Sequence, residues 1–556
     1  DSTQGNPLFL EEMVRLLEEE GPDAIAAGVV PGGVRDVIRQ RLDRVSADAR
    51  ALLDLAAVAG DEIDVALLAL ASGRDGAAVL ATVTDAVRVG VLAERASRRR
   101  FSHALVREVL YRDLGAERRR ALHGEIARAI ETLHGPDAAP TGSSAPLAEL
   151  AYHLLEGPPA GLGRAVEFAT RAASRALDLF AHDEAIALLE RAAAAVDAAG
   201  APPEAPLLRA RVLLALGEAR IRRGEATAGR NACCEAATLA RAAGDGELVG
   251  RIALTYGRVF NFGIVDPILV GMIEEALAAL PTEDSPLRAR LLARLGGALQ
   301  PSLVVEEPLR VAREAIATAR RLGDPRVLLE TMHDGLSALM DVVDPRERLA
   351  LNLESEQLAR GLGDRERLLR THLRLAIDHL ALGQFQAADG CIAALADLAA
   401  AMRAPWHSWR APLLRSVRAA IEGRFADAER ELADAAAIGH SAQDPQIELA
   451  MMLYRESFLR AAERHDEMLD LDPHARRERA AFSMGPAWQA LGSAMIFTRR
   501  EDADKARLHF ELLPAEMRPP ADNLFAIFSV GEPIAFIGSP ALAAKMLEIA
   551  TPFADQ

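Results

Sequence analysis

The 556-residue sequence predicts an all-α fold with minor β content, an α-α superhelix of helical hairpins behind a shorter amino-terminal region. Three observations lead there. Half of the residues are hydrophobic and only 4% are aromatic, and the dominant Ala, Leu and Arg lose little side-chain entropy in helices. Polar stops with Asp recur at Asp245, Asp284, Asp324, Asp364 and Asp444, in steps of 39, 40, 40 and 80, with turn signals at Gly224, Gly263, Asp344 before Pro345, Gly383 and Gly423 between them. Within these units apolar residues keep helical spacing, as in Leu287, Leu291, Leu295 and Leu299, and in Leu309, Ala312, Ile316 and Ala319. One hairpin cannot cover such stripes, but stacked neighbours can, which gives a solenoid with a concave surface.

Along the chain, Thr3 to Glu12 reads as a turn entering an amphipathic helix, with Leu8, Leu10, Met13, Leu16 and Leu17 on its apolar side. Val30 to Leu42 follows, then a buried helix over Ala49 to Ala59. Val89 to Leu92 and Phe101 read as the two strands of a winged-helix wing, and Arg100 to Tyr111 passes from strand to helix. Pro/Gly/Ser-rich joints lie at Gly135 to Pro146, Gly157 to Gly163 and Gly200 to Pro206. The expected segments are therefore 1–48, 49–134 and a repeat array over 147–556 that starts in earnest near Ala165. Ala165 to Val196 looks like a tetratricopeptide pair. The best internal match sets Gly383-Gln384-Phe385-Gln386-Ala387-Ala388 against Gly423-Arg424-Phe425-Ala426-Asp427-Ala428. There glycine suits a left-handed cap and alanine allows close helix contact. The period of about 40 exceeds the tetratricopeptide value of ~34 and implies lengthened helices.

Several function classes are disfavoured. A net charge of −17 argues against broad nucleic-acid binding. Cys233, Cys234 and Cys391 fit neither a metal-site spacing nor a disulfide framework, and with no signal peptide and no bilayer-length apolar run a cytoplasmic protein away from membranes is expected. Lys505 and Lys545 both lack a P-loop context, and the serine-hydrolase elbow, the zinc-protease helix and the dinucleotide fingerprint are missing. The chain is thus expected not to be an enzyme by itself. Its start at Asp1 suggests a fragment or a processed product.

Gly5-Asn6-Pro7-Leu8-Phe9-Leu10 resembles the glycine-x-proline motif in the helical lid of signal-transduction ATPases with numerous domains. Phe101-Ser102-His103-Ala104-Leu105-Val106-Arg107 resembles the histidine motif ending their winged helix, and Pro519 to Asp555 looks like a late repeat. The resemblance spans most of the chain and points to large ATP-binding LuxR-type transcriptional regulators and cyclase-fused relatives. It implies a lid remnant over 1–48, a winged-helix-like domain over 49–134 and tetratricopeptide-like repeats beyond. It places Pro7 against adenine and His103 toward the phosphates of ADP, in a parent whose upstream ATPase module holds the nucleotide and turns over slowly. This chain itself would carry no cofactor. The implied function is regulatory: a protein or small-molecule inducer on the repeats controls the nucleotide switch, and DNA is met only through a further domain. Two alternatives remain, the scaffold tail of a nucleotide cyclase or kinase, and a free-standing repeat adaptor.

Other residues carry weaker signals. Arg95, Arg98, Arg99, Arg100, Arg107 and Arg112 form a basic cluster that reads as a solvated or interdomain face before it reads as a DNA contact. Trp406 and Trp409, beside His407, are candidate ligand-groove aromatics, although helical spacing of this kind more often marks packing between repeats. His372 and His379 share a helix face without the further ligands a metal needs, and Met451 and Met452 read as core.

Overall fold

The computed structural model describes residues 45–95, 98–135, 145–200, 203–258, 265–300, 306–339, 343–402, 405–442, 447–464, 486–499, 501–513 and 524–551, with isolated positions 38, 39, 42, 444 and 467. It divides into two compact units, 1–245 and 246–556. The described residues are overwhelmingly helical, with one two-stranded sheet. None of the described helices is alone long and apolar enough to cross a membrane.

From Ala47 the described residues of the first unit form three short helices, α1 (Ala47–Ala59), α2 (Val65–Ser72) and α3 (Gly76–Arg88). Each starts on a side-chain cap: Ser46, Asp64 and Asp75 accept from the first backbone N–H groups, which have no partner inside the helix. An antiparallel hairpin follows, β1 (Leu92–Arg95) and β2 (Arg98–Phe101), with Leu92 opposite Phe101. The sequence places the first strand at Val89 to Leu92, three residues early. Val89 instead closes α3, and Gly90 (φ 80°) turns the chain while Val91 N–H donates back to Ala86 O. Then come α4 (Ala104–Asp113), α5 (Ala116–His134) and α6 (Ala145–Leu155). Two hairpins complete the unit, α7 (Leu162–Asp178) with α8 (His182–Ala198), and α9 (Ala205–Arg223) with α10 (Ala226–Ala242). One apolar core runs from Leu52, Leu68, Phe101 and Leu110 through Leu122 and Leu150 to Phe168 and Val212.

The second unit is hairpins in series. Its helices are α11 (Gly246–Tyr256), α12 (Pro267–Ala279), α13 (Pro286–Ala298), α14 (Glu306–Leu322), α15 (Pro325–Leu339) and α16 (Pro345–Leu362). Next are α17 (Arg365–Ala381), α18 (Phe385–Ala401), the one-turn α19 (Pro405–Ser408), α20 (Arg410–Ile421), α21 (Phe425–Ser441) and α22 (Ile447–Ala461). The last four among the described residues are α23 (Pro486–Arg499), α24 (Ala503–Glu511), α25 (Leu524–Ile537) and α26 (Pro540–Ala550). Consecutive helices pair, and leading helices of successive hairpins pack on one another, α11 on α13, α13 on α15 and α17 on α20.

Four hairpins share one turn. Ala181, Glu225, Gln384 and Arg424 have φ/ψ of −86/63, −87/59, −85/62 and −81/63°, and each N–H donates across the turn to Ala176, Arg220, His379 or Ala419. The residue before each is left-handed: Gly224, Gly383 and Gly423 in three turns, and Phe180 (φ 61°) in the fourth. This is a Schellman closure, which favours glycine because a Cβ crowds the next carbonyl. Seven residues before and five after this position sit small buried residues: Ala173 with Ala185, Gly217 with Gly229, Ala376 with Ala388, and Ser416 with Ala428. Ser416 Oγ donates to Ala428 O at 2.7 Å, so the helices meet almost backbone to backbone. Repeated turns, twelve-residue small pairs and serial stacking make these tetratricopeptide-like hairpins.

The periodic Asp residues occupy the junctions between hairpins. Asp364 Oδ1 accepts from Arg367 N–H at 3.0 Å and Asp324 Oδ1 from Arg326 N–H at 2.8 Å. Asp284 leaves capping of α13 to Ser285 and pairs with Arg321. Gly263 lies outside the described residues.

Candidate functional site

Period 40 holds for polar residues as well as turns. Arg290, Glu330, Arg370 and Arg410 are 40 apart, as are Arg294, Asp334 and Arg374. They lie on α13, α15, α17 and α20, the leading helices of successive hairpins, so equivalent positions form a row.

Bonds run between neighbouring leading helices. Arg290 pairs with Glu330 at 3.1 Å and Arg367 with the same carboxylate at 3.5 Å. Arg370 Nη1 donates to His333 Nε2 at 3.0 Å, and one turn on Arg374 Nη2 donates to Ser337 Oγ at 2.9 Å. Arg294 Nε donates to Gly257 O at 3.0 Å. At the far end Arg410 lies over the Trp409 ring, 4.4 Å from its centroid, and 3.7 Å from Asp444.

The electrostatics are unusual for arginine. Arg374 is half-buried, and its pKa is pulled down to about 10, first by desolvation and then by Arg370. Arg410 falls to about 10 through desolvation, with Asp444 opposing and Arg370 adding to the fall. Both remain cations at neutral pH. His333 is held well below its usual value by burial and by Arg374, Arg370, Arg367 and Arg294 together. His407 is pushed down to about 3 by burial, Arg410 and Arg370. Both imidazoles are thus neutral, and His333 Nε2 serves as the acceptor that holds Arg370. The arginine row can fix an anionic oxygen through charge-assisted bonds.

Beside the row lies a buried network between α16 and α17. Asp378 accepts from Arg348 Nε at 2.8 Å and from Asn352 Nδ2 at 2.7 Å, and it is 2% exposed.

The residues singled out in the sequence scatter. Pro7 lies outside the described residues, and so does the Trp406 side chain. His103 caps α4: its Nδ1 accepts from Leu105 N–H at 3.1 Å, and its Nε2, the nitrogen left for a phosphate, is buried here. Trp409 is buried among Leu413, Leu432, Ala435 and Ile447, and its Nε1 donates to Asp444 at 2.8 Å, so it packs between hairpins. The basic cluster is largely paired, Arg98 with Glu62, Arg99 with Glu94 and Arg112 with Glu108, while Arg107 donates to Ala57 O. His372 is buried 3.9 Å from Glu356, whereas His379 meets Gln384 at 2.7 Å, so the two have separate surroundings. Met451 packs in the Trp409 cluster, and the Met452 side chain is outside the described residues.

Sequence reasoning missed the arginine row, although period 40 applied to polar positions finds it. It also missed a buried chain in the first unit, from Tyr111 Oη to His123 Nε2 (3.1 Å) and from His123 Nδ1 to His153 Nδ1 (2.9 Å). No sequence spacing marks that pair.

No family model matches the chain, and no curated protein matches it. Solved structures do align. One is a signal-transduction ATPase with numerous domains carrying a tetratricopeptide repeat sensor, from Pyrococcus horikoshii, with 11% identity and a TM-score of 0.40 over 92% of this chain. This chain spans 63% of that protein's length. Another is a Rap protein complexed with competence and sporulation factor, with 15% identity and a TM-score of 0.44 over 63% of this chain and 97% of its own. A third is aspartyl phosphate phosphatase F from Bacillus subtilis, with 12% identity and a TM-score of 0.36 over 63% of this chain and 92% of its own. The fold stands on the hairpin geometry and not on these likenesses.

Proposed function

We propose that this chain is the sensor and interaction region of an ATP-dependent signal-transduction regulator whose output is transcription. The observation that carries the reading is the row of arginines at repeat-equivalent positions of the second unit, with neutral His333 holding one of them. Pure scaffolding has no use for two desolvated arginines in one row, whereas ligand capture does. The first unit supports the coupling half of the reading. Its helices followed by a β-hairpin fit the winged-helix expectation, and His103 stands at the hinge between strand and helix. ATP or ADP is held by the nucleotide-binding core of the parent, and no chemical step is assigned to this chain. Inducer binding shifts the parent between two forms to the extent that it binds them unequally. In one of them His103 Nε2 is uncovered. The test joins the nucleotide-binding core to this chain and measures ADP release in wild type and His103→Ala. Faster release in the variant supports the reading; unchanged ADP affinity together with unchanged output would sink it.

A further inference from the structure

We propose that Arg370 and Arg374, flanked by Arg294 and Arg410, form the binding site for a small dianionic oxyanion, a phosphate monoester or a dicarboxylate. This deepens the sensor reading and rests on it for what binding achieves.

The geometry argues for an anion in three steps. First, Arg370 and Arg374 are one turn apart on α17, where like charges repel, and the burial of Arg374 weakens the screening between them. Second, Arg374 is held by a neutral group, and Arg370 by one neutral group and one carboxylate. His333 Nε2 and the Ser337 hydroxyl fix the two forks without cancelling their charge. Arg370 also meets Glu366 at 3.0 Å, but Glu366 lies on the solvent side. Among the described residues no carboxylate comes within ion-pair distance of Arg374; Asp334 and Asp378 act on it only from farther off, and Asp378 is already engaged by Arg348 and Asn352. Third, the Ser337 bond uses one of the five N–H donors of Arg374, and two adjacent planar forks match the several oxygens of a dianion better than a single carboxylate. Desolvation of Arg374 and Arg410 agrees with a recessed site.

The experiment uses the full chain at fixed ionic strength. Inorganic phosphate and succinate are titrated separately against thermal unfolding, and the binding is repeated by calorimetric titration. A saturable rise in Tm with one or both anions is expected, and whichever acts identifies the oxyanion. Arg370→Gln and Arg374→Gln are each expected to weaken binding at least ten-fold, Arg374→Lys less, and Arg313→Gln on the exposed side of α14 not at all. Arg374→Gln without ligand is expected to melt no lower than wild type, because removal of one cation relieves repulsion. If it melts lower, Arg370→Gln and calorimetric titration decide. No saturable response to either anion, or an undiminished response in both Gln variants, overturns the site. Specific binding that leaves ADP release from the parent unchanged would instead remove the sensor reading and leave the site standing.

Discussion

A close helix approach in the first unit gives a sign-definite prediction. A Cβ built on Gly229 of α10 meets Gly217 O of α9 at 2.7 Å and Ile221 Cγ1 at 2.6 Å. Ile221 can rotate away, but the carbonyl is backbone and the helices must separate. Gly229→Ala therefore gains ~1 kcal/mol of helix propensity and loses ~1–3 kcal/mol to overpacking, with the upper part of that range expected where backbone must move. The net cost is ~1–2 kcal/mol, or a fall in Tm of ~2–8 °C for a unit of this size. Gly390 is the control: it is exposed within α18 with nothing within 4 Å of its Cβ position. Gly390→Ala keeps only the propensity gain and should raise stability by ~0.5–1 kcal/mol. Differential scanning calorimetry of the full chain reads both. A neutral or stabilising Gly229→Ala would refute the backbone-to-backbone contact, and a destabilising Gly390→Ala would refute the open surface of α18.

Two further outcomes follow from buried polar groups. Asp378→Ala strands Arg348 in the interior and should cost ~3–5 kcal/mol, whereas Asp378→Leu with Arg348→Met should recover most of it; equal losses in urea denaturation would contradict the pairing. The Tyr111–His123–His153 chain predicts acid sensitivity. Burial, with Arg119 adding, pushes His123 down to about 4, and burial, with His123 adding, pushes His153 down to about 3. The folded state therefore keeps both neutral while the unfolded chain takes up protons below about 6.5, so stability is full above that pH and is lost progressively as pH falls toward about 4. At pH 5 the loss is on the order of 2 kcal/mol for each imidazole. The difference in urea midpoint between pH 7.5 and pH 5 should shrink in His123→Gln/His153→Gln, and an unchanged difference would dismiss the pair as the cause.

The fold was legible because its determinants are local. Turn glycines, capping Asp residues and helical apolar stripes act within one hairpin, so Gly383, Gly423, Asp324 and Asp364 could be placed from sequence. The strand at Leu92 was misplaced because Val89 and Val91 read as β-branched strand residues, while helix closure at Gly90 claimed them. The candidate site was less legible. A tryptophan pair stands out by residue type, yet Trp409 is spent on Asp444 and on apolar neighbours. The arginine row is inconspicuous in a chain where arginine supplies nearly all the positive charge, and its character comes from stacking: His333 and Ser337 reach α17 only across 37 residues of sequence. Desolvation is a property of the assembled face.

The short sequence span of the bonds within and between hairpins bears on how the chain folds. In the repeats the links span short stretches of sequence, 37 residues for Arg370 to His333, 40 for Arg223 to Asp183 and 12 for Ser416 to Ala428. Loop closure for such links is cheap, and any hairpin can serve as the nucleus on which its neighbours condense. The front of the first unit is tied differently, with Arg107 reaching back 50 residues to Ala57 and Arg39 joined to Asp113 across 74. That segment is the part whose closure should be slowest, so the strand-to-helix junction at His103 would assemble after the hairpins.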